Sequence, residues 1–240
     1  MIPKIVHYVW LGGKPLSALG ERCLASWQKH FPGWEVRRWD ESNSPTGHPF
    51  VAKMMAEGKF AFASDYIRLH ALAEHGGVYL DTDMELTGDI RPLLTRPCVL
   101  AFLSAQNRPS KNSAALGFLA SVTAHPWILD LRERYRGMQK AVMNTTLATE
   151  SLQRHGRSRL RSEPSDSPFW DLGEIRIYHS DFFYPSSDRK PVHPQLAVHH
   201  AEGSWAGQAA PLPWWRRLAD HRIDRKILRP LERILRSLRT

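Results

Sequence analysis

The alternation of apolar and polar positions divides the chain into a strand–helix series. Ile2–Trp10 alternates with β-branched residues and reads as a buried first strand, stopped by Leu11-Gly12-Gly13. Leu16, Leu19, Cys23, Leu24 and Trp27 recur at helical spacing over residues 16–30, and Pro32-Gly33 ends that helix. A second strand is expected at Trp34–Trp39, then a polar loop around Ser42–Gly47 and a short helix over residues 49–57. The strongest helical pattern runs from Phe60 to His75, with Ile67, Leu69, Leu72 and Ala73 as apolar positions. Gly76-Gly77 closes that helix, and Val78–Asp83 follows as a strand. Later strands are expected at Val99–Leu103, Ile175–Tyr178 and Leu196–His200, with another helix over residues 126–139. Strands alternating with helices over the first half predict an α/β layered domain with a largely parallel sheet. No internal repeat or low-complexity segment interrupts the series.

Composition sharpens this picture. A chain of 240 residues with 42% hydrophobic residues and 9 Trp can bury a full core, which excludes a mainly disordered protein. Its 2 cysteines, Cys23 and Cys98, argue against a disulfide scaffold and fit a reducing compartment. The N-terminus has no apolar run or cleavage site of a signal peptide, and no stretch of about 18 apolar residues occurs. A cytoplasmic protein is therefore expected.

The formal charge of +9 is uneven. Residues 214–240 hold nine Arg or Lys against Asp220, Asp224 and Glu232, a net of +6. There Leu218, Ile223, Ile227, Leu231, Ile234, Leu235 and Leu238 recur every three to five residues between arginines. Such a basic amphipathic helix suits an anionic membrane surface, with Pro230 kinking it or starting a second segment. The other reading is a C-terminal helix packed on the core with a solvated basic face. Two parts follow, a domain at 1–213 and a tail at 214–240. A nucleic-acid-binding protein would also be basic. Here, however, the charge sits in a tail and no nucleic-acid module is recognisable, so nucleic acid is not expected as a partner.

The chemistry concentrates in Ala63–Asp83. Asp65 and Arg68 lie three apart on one helical face and can address one ligand. The strand after Gly76-Gly77 finishes in Asp81-Thr82-Asp83, and in an α/β sheet the ligand crevice lies off the carboxyl ends of strands. Residues two apart in a strand point the same way, so both carboxylates can approach one site. Hard divalent ions take oxygen ligands, commonly one or two carboxylates plus substrate phosphates. A bare Asp-x-Asp is more often a solvated loop entry; the surrounding twenty residues change that balance.

Three blocks, in order, carry a resemblance: Ile2–Gly13, Ala63–Asp83 and His199-His-Ala-Glu-Gly-Ser-Trp205. Together they span residues 2–205. They resemble glycosyltransferases with a sugar-binding region containing a DXD motif (glycosyltransferase family 32). That family takes in capsular polysaccharide enzymes and yeast-type α-mannosyltransferases, and is akin to the catalytic domain of clostridial glucosylating toxins. The resemblance implies a GT-A fold (Rossmann-like, a mixed sheet flanked by helices), a UDP- or GDP-sugar donor, Mn²⁺ or Mg²⁺, and retention of configuration. It implies that Trp10 stacks on the nucleobase with the backbone of Val9 and Leu11 nearby. Asp65 would hold a donor-sugar hydroxyl, and Arg68 the sugar or diphosphate. Asp81 would bind ribose and sugar hydroxyls and the metal indirectly, Asp83 the metal directly, and His199 or His200 the metal or diphosphate. Ser204 and Trp205 would close over the diphosphate, which makes Asp81, Asp83 and Trp205 the expected catalytic group.

The chain departs from the family in lacking a Gly-Pro signature on the acceptor side, for which Met143–Glu150 is the nearest stretch. No clear carboxylate nucleophile stands out, with Glu150 and Asp166 candidates by position only. Same-face displacement is therefore expected, with the leaving diphosphate helping to deprotonate the acceptor. The expected acceptor is a glycan or lipid-linked saccharide of bacterial polysaccharide or lipopolysaccharide assembly, which would place the enzyme peripherally at the inner face of the cytoplasmic membrane. The alternative is a toxin-like effector acting on a protein.

Overall fold

The computed structural model of the protein describes residues 1–103, 113–162, 167–184 and 190–202, with only the backbone course described over 155–162. The chain divides into two units, Met1–Glu202 and Gly203–Thr240, the second outside the described residues. Ser204, Trp205, Asp166 and the basic tail therefore also lie outside them.

The first half follows the sequence pattern closely. Strand β1 (Ile5–Val9) leads to α1 (Ala18–His30), whose N-cap Ser17 accepts from the Gly20 N–H. Then come β2 (Glu35–Trp39), α2 (Pro49–Ala56) and α3 (Phe60–His75). Strand β3 (Gly77–Leu80) is buried along its whole length. After it come β4 (Met84–Leu86), β5 (Cys98–Leu103), β6 (Ser113–Ser121), α4 (Pro126–Glu133), α5 (Asn144–Ser162), β7 (Phe169–Leu172), β8 (Ile175–Tyr178) and β9 (Ala197–His199).

Seven strands form one sheet in the order β2-β1-β3-β6-β5-β8-β7, and β4 pairs with β9 in a separate ribbon. The sheet is mixed, as the resemblance implied, which corrects the pattern's expectation of a largely parallel one. β1 runs parallel to β2 and β3, and β5 to β8, but β6 lies antiparallel between β3 and β5, and β7 is antiparallel to β8. Strand β6 is Ser-Ala-Ala-Leu-Gly-Phe-Leu-Ala-Ser, a composition poor in β-branched residues, so local propensity does not reveal it. It forms because both its faces are buried between neighbours. Two apolar layers fill the two sides of the sheet, one around Phe50, Ile67, Leu72 and Trp127, the other around Trp27, Phe118 and Phe183.

The corner between α3 and β3 sets the position of Asp81. Gly76 and Gly77 adopt φ of +62° and +101°, and a Cβ on Gly77 would lie 2.6 Å from the Ile5 carbonyl oxygen. Only glycine lets β3 enter the sheet this tightly. His7, fully buried, locks the same corner. Its Nδ1 accepts from the Trp39 indole at 3.1 Å, and its Nε2–H donates to the Gly76 carbonyl at 2.8 Å. Burial lowers the His7 pKa to about 4 and keeps the ring neutral, and its two partners fix the tautomer. Cys23 and Cys98 are both free and buried. Among the described residues no helix is long and apolar enough to cross a membrane.

Candidate active site

Strand β3 ends at Leu80, so Asp81 and Asp83 are not successive outward positions of a strand, as the pattern had suggested. The Asp81 N–H still donates to the Gly117 carbonyl on β6 at 2.8 Å, and the chain then turns, with the Met84 N–H reaching the Asp81 carbonyl at 2.9 Å. A tight turn, rather than strand alternation, brings the carboxylates together. Strand β4 then pairs with β9 with Met84 opposite His199, which delivers an imidazole from more than a hundred residues away.

The result is a three-ligand group. Asp81, Asp83 and His199, each half-buried, place one ligand atom apiece within 4.8 Å of one another. His199 Nε2 lies 3.2 Å from Asp83 Oδ1 and 3.8 Å from Asp81 Oδ2. Two hard carboxylate oxygens and one imidazole nitrogen form a donor set suited to Mn²⁺ or Mg²⁺. Burial pushes the Asp83 pKa upward, but its bond to His199 and the Glu202 N–H outweigh that and hold the carboxyl below its ordinary value. Burial opposes charge on His199 as well, yet the Asp83 and Asp81 carboxylates raise its pKa. His200 is not part of the group: its Nε2 lies 2.8 Å from Glu85 Oε2, and Glu85 also pairs with Arg22.

Behind this group Asp65 and Arg68 form a buried platform, 6% and 4% exposed. Arg68 Nη2 is 3.0 Å from Asp65, and Nη1 is 3.3 Å from Asp81 Oδ1 and donates to the Leu116 carbonyl at 2.8 Å. The guanidinium also lies 4.6 Å from the centre of the Tyr79 ring, whose hydroxyl donates to Asp81 Oδ1 at 3.0 Å. Burial pushes the Asp65 pKa up to about 7. Arg68 and the Asn144 amide, which donates to Asp65 Oδ1, oppose that shift and stabilise the carboxylate. Burial would lower the Arg68 pKa, but Asp81, Tyr79 and Asp65 raise it. Two carboxylates, Asp65 and Asp81, thus flank one fixed guanidinium, and Asp83 beside Asp81 adds a further negative charge, so the charge of the site favours a further cation.

Trp10 lies off the carboxyl end of β1, on the edge of the sheet that also carries Asp81. Continuing the β1–β3 register, Val6 to Val78 and His7 to Tyr79, brings Val9 level with Asp81. The Trp10 indole donates to the Lys14 carbonyl at 2.6 Å within the loop after β1, and the Gly12 N–H donates to Glu41 at 2.6 Å, tying that loop to the one after β2. Val9 and Leu11 are buried beside it.

Sequence reasoning missed Tyr79, Asn144, Gly117 and Tyr184. Asn144 begins α5, within the stretch read only as an acceptor-side counterpart, and helical spacing of Leu147, Ala148 and Leu152 was the available signal. Glu150, four residues beyond Thr146 on the same helix, is exposed.

Comparison with known proteins agrees with this geometry. Residues 19–100 match the family model described as the glycosyltransferase sugar-binding region containing DXD motif, a segment that includes Asp65, Arg68, Asp81 and Asp83. Among solved structures, the chain is similar to PaToxG glycosyltransferase at 16% identity and a TM-score of 0.50, covering 65% of this chain and 70% of that one. It is also similar to the galactosyltransferase LgtC in complex with donor and acceptor sugar analogs (14% identity, 83% and 87% covered, TM-score 0.46). A third is the glycosyltransferase GlyE of Streptococcus pneumoniae TIGR4 (12%, 90% and 60% covered, TM-score 0.46). No curated protein matches the chain. The family match and the mixed seven-stranded sheet together identify a GT-A type fold that carries the DXD region.

Proposed function

We propose that the chain is a glycosyltransferase that transfers a sugar, with retention, from a UDP- or GDP-sugar bound with Mn²⁺ or Mg²⁺, a reading supported by the match of residues 19–100 to the DXD sugar-binding region and by the GT-A type fold. The observation that supports this most is the convergence of Asp81, Asp83 and His199 within 4.8 Å at the end of β3. A divalent ion held there would neutralise the diphosphate leaving group. Asp83, fixed by the Glu202 N–H at 3.0 Å, and His199 are the direct ligands in this reading. Asp81 faces both the ion and the donor sugar or ribose. Asp65, held in place by Arg68 and Asn144, accepts from a sugar hydroxyl, and Arg68 balances charge beneath the donor. Trp10, with the backbone of Val9 and Leu11, supports the nucleobase, while Ser204 and Trp205, to which the resemblance gives the diphosphate, lie outside the described residues. Preorganised charge around the leaving group supplies most of the rate gain, with no carboxylate nucleophile required.

The donor is identified by screening UDP- and GDP-sugars for thermal stabilisation with Mn²⁺, since a ligand that binds only the folded state raises apparent stability by mass action. At least one sugar nucleotide should stabilise the protein with Mn²⁺ and not with EDTA. Failure of every UDP- and GDP-sugar under saturating Mn²⁺ would sink the donor assignment.

The acceptor is a glycan or lipid-linked saccharide of polysaccharide or lipopolysaccharide assembly, reached by docking the basic tail on anionic lipid. Support for this part rests on the net +6 of residues 214–240. Deleting residues 214–240 should leave hydrolysis of a soluble donor nearly intact and sharply weaken flotation with anionic liposomes, because each basic residue near such a surface contributes roughly 1 kcal/mol. Raised salt should mimic the deletion on the intact protein. An inactive or insoluble truncation, together with an intact enzyme that ignores anionic lipid, would instead assign Ile223, Ile227, Leu231 and Ile234 to the core.

A further inference from the structure

We propose that Gly117, on β6, is a positioning residue of the cation site: its missing side chain creates the slot in which Asp81 Oδ2 is seated. The proposal rests on the reading of Asp81, Asp83 and His199 as a cation site. The two oxygens of Asp81 have different surroundings. Oδ1 accepts from the Tyr79 hydroxyl at 3.0 Å and faces Arg68 Nη1 at 3.3 Å. Oδ2 faces His199 Nε2 at 3.8 Å and abuts the backbone of Gly117. A Cβ built on Gly117 would lie 2.7 Å from that oxygen, where ordinary van der Waals contact begins at 3.4 Å.

The slot cannot widen easily. Its other wall is the Tyr184 hydroxyl, 3.1 Å from the same Cβ position. That hydroxyl accepts from the Phe118 N–H at 2.9 Å, and the Tyr184 ring packs edge-on against His199 with centroids 5.4 Å apart. The next ring, Phe183, stacks on Phe118 at 3.9 Å, and its carbonyl accepts from the His199 N–H at 3.2 Å. On the Asp81 side, the bond from its N–H to the Gly117 carbonyl ties the backbones together at 2.8 Å. The Asp81 carboxylate is then the group left to yield. It would have to move by about 0.7 Å to restore contact, well beyond the roughly 0.2 Å within which metal–ligand distances are held. Gly117 carries no positive φ, so an alanine there strains no backbone torsion, and the effect would come through the carboxylate.

The test is an EPR titration of Mn²⁺ into the full-length parent, Gly117→Ala, Asp81→Asn and the double variant, with urea melts of each metal-free protein. Gly117→Ala should weaken Mn²⁺ binding at least tenfold. In the Asp81→Asn background the same change should weaken it less than threefold, because the group it acts through is already altered. Adding Tyr184→Phe to Gly117→Ala removes the hydroxyl wall and should recover part of the lost affinity. Gly117→Ala binding Mn²⁺ within twofold of the parent, or a loss that adds in full to that of Asp81→Asn, would overturn the proposal. So would a Gly117→Ala protein that does not fold, since the strand and not the carboxylate would then have yielded. A parent that binds no Mn²⁺ would overturn the cation-site reading itself, and this inference with it.

Discussion

Asp83→Asn is expected to reduce sugar-nucleotide turnover by more than about 100-fold while leaving the fold intact. Loss of an outer-shell partner of a metal typically costs 10- to 100-fold, and Asp83 is read as a direct ligand. An amide keeps the shape and can still accept from the Glu202 N–H, now 3.0 Å from Oδ2. It removes the negative charge 3.2 Å from His199 and offers a hard cation a much poorer oxygen. Steady-state rates at limiting Mn²⁺, beside urea melts of the metal-free proteins, separate the two effects. Wild-type turnover by Asp83→Asn at limiting Mn²⁺ would mean that the ligand assignment is wrong.

The second large effect concerns Arg68, whose replacement should damage stability as well as activity. Arg68→Met deletes the one cation between Asp65 and Asp81 and leaves the Leu116 carbonyl without its donor. Removing one member of a buried ion pair costs about 3–5 kcal/mol, because the remaining charge is stranded. Exposed pairs such as Lys59–Glu57 offer a control, since their loss costs about 1 kcal/mol or less. The sign of the pH dependence follows from Asp65. Burial already raises its pKa, and loss of Arg68 raises it further relative to the unfolded chain. A raised carboxyl pKa contributes stability below the unfolded value that is lost as pH rises through the folded one. The deficit of Arg68→Met relative to the parent should therefore be larger at pH 8 than at pH 5. Urea melts at both values check this, and a deficit under 1 kcal/mol at pH 8 would contradict the buried-platform account.

How much of this was legible beforehand depends on how local the cause is. Helix α3 was read with its observed ends, because Gly76-Gly77 punctuates a strong apolar period. The strand at Ile175–Tyr178 was read equally well. The expected helix over 126–139 ends at Glu133, where the chain turns toward Gly137 at φ +71°. Strands β6 and β4 escaped notice for different reasons, whereas β9 falls within the strand expected at Leu196–His200. Strand β6 is rich in Ala, Ser and Gly and lacks β-branched residues, a propensity overridden by burial, and β4 is three residues long. Those two strands complete the site, β6 seating Asp81 and β4 pairing with β9 to bring in His199. The choice between His199 and His200 was open in the sequence because both flank the same strand end. Strand geometry resolves their placement, turning His199 toward Asp81 and Asp83 and His200 toward Glu85. Asn144 was hidden because its partner Asp65 is 79 residues away, and no local pattern encodes such a pairing.

The central claim, that Asp81, Asp83 and His199 serve metal-dependent transfer from a sugar nucleotide, is tested most directly by hydrolysis of UDP- and GDP-sugars without an acceptor. The full-length protein should release free sugar and nucleoside diphosphate with Mn²⁺, should stop in EDTA, and should resume when Mn²⁺ is restored. Undiminished release in EDTA, or no release from any of these donors at saturating Mn²⁺, would contradict the account.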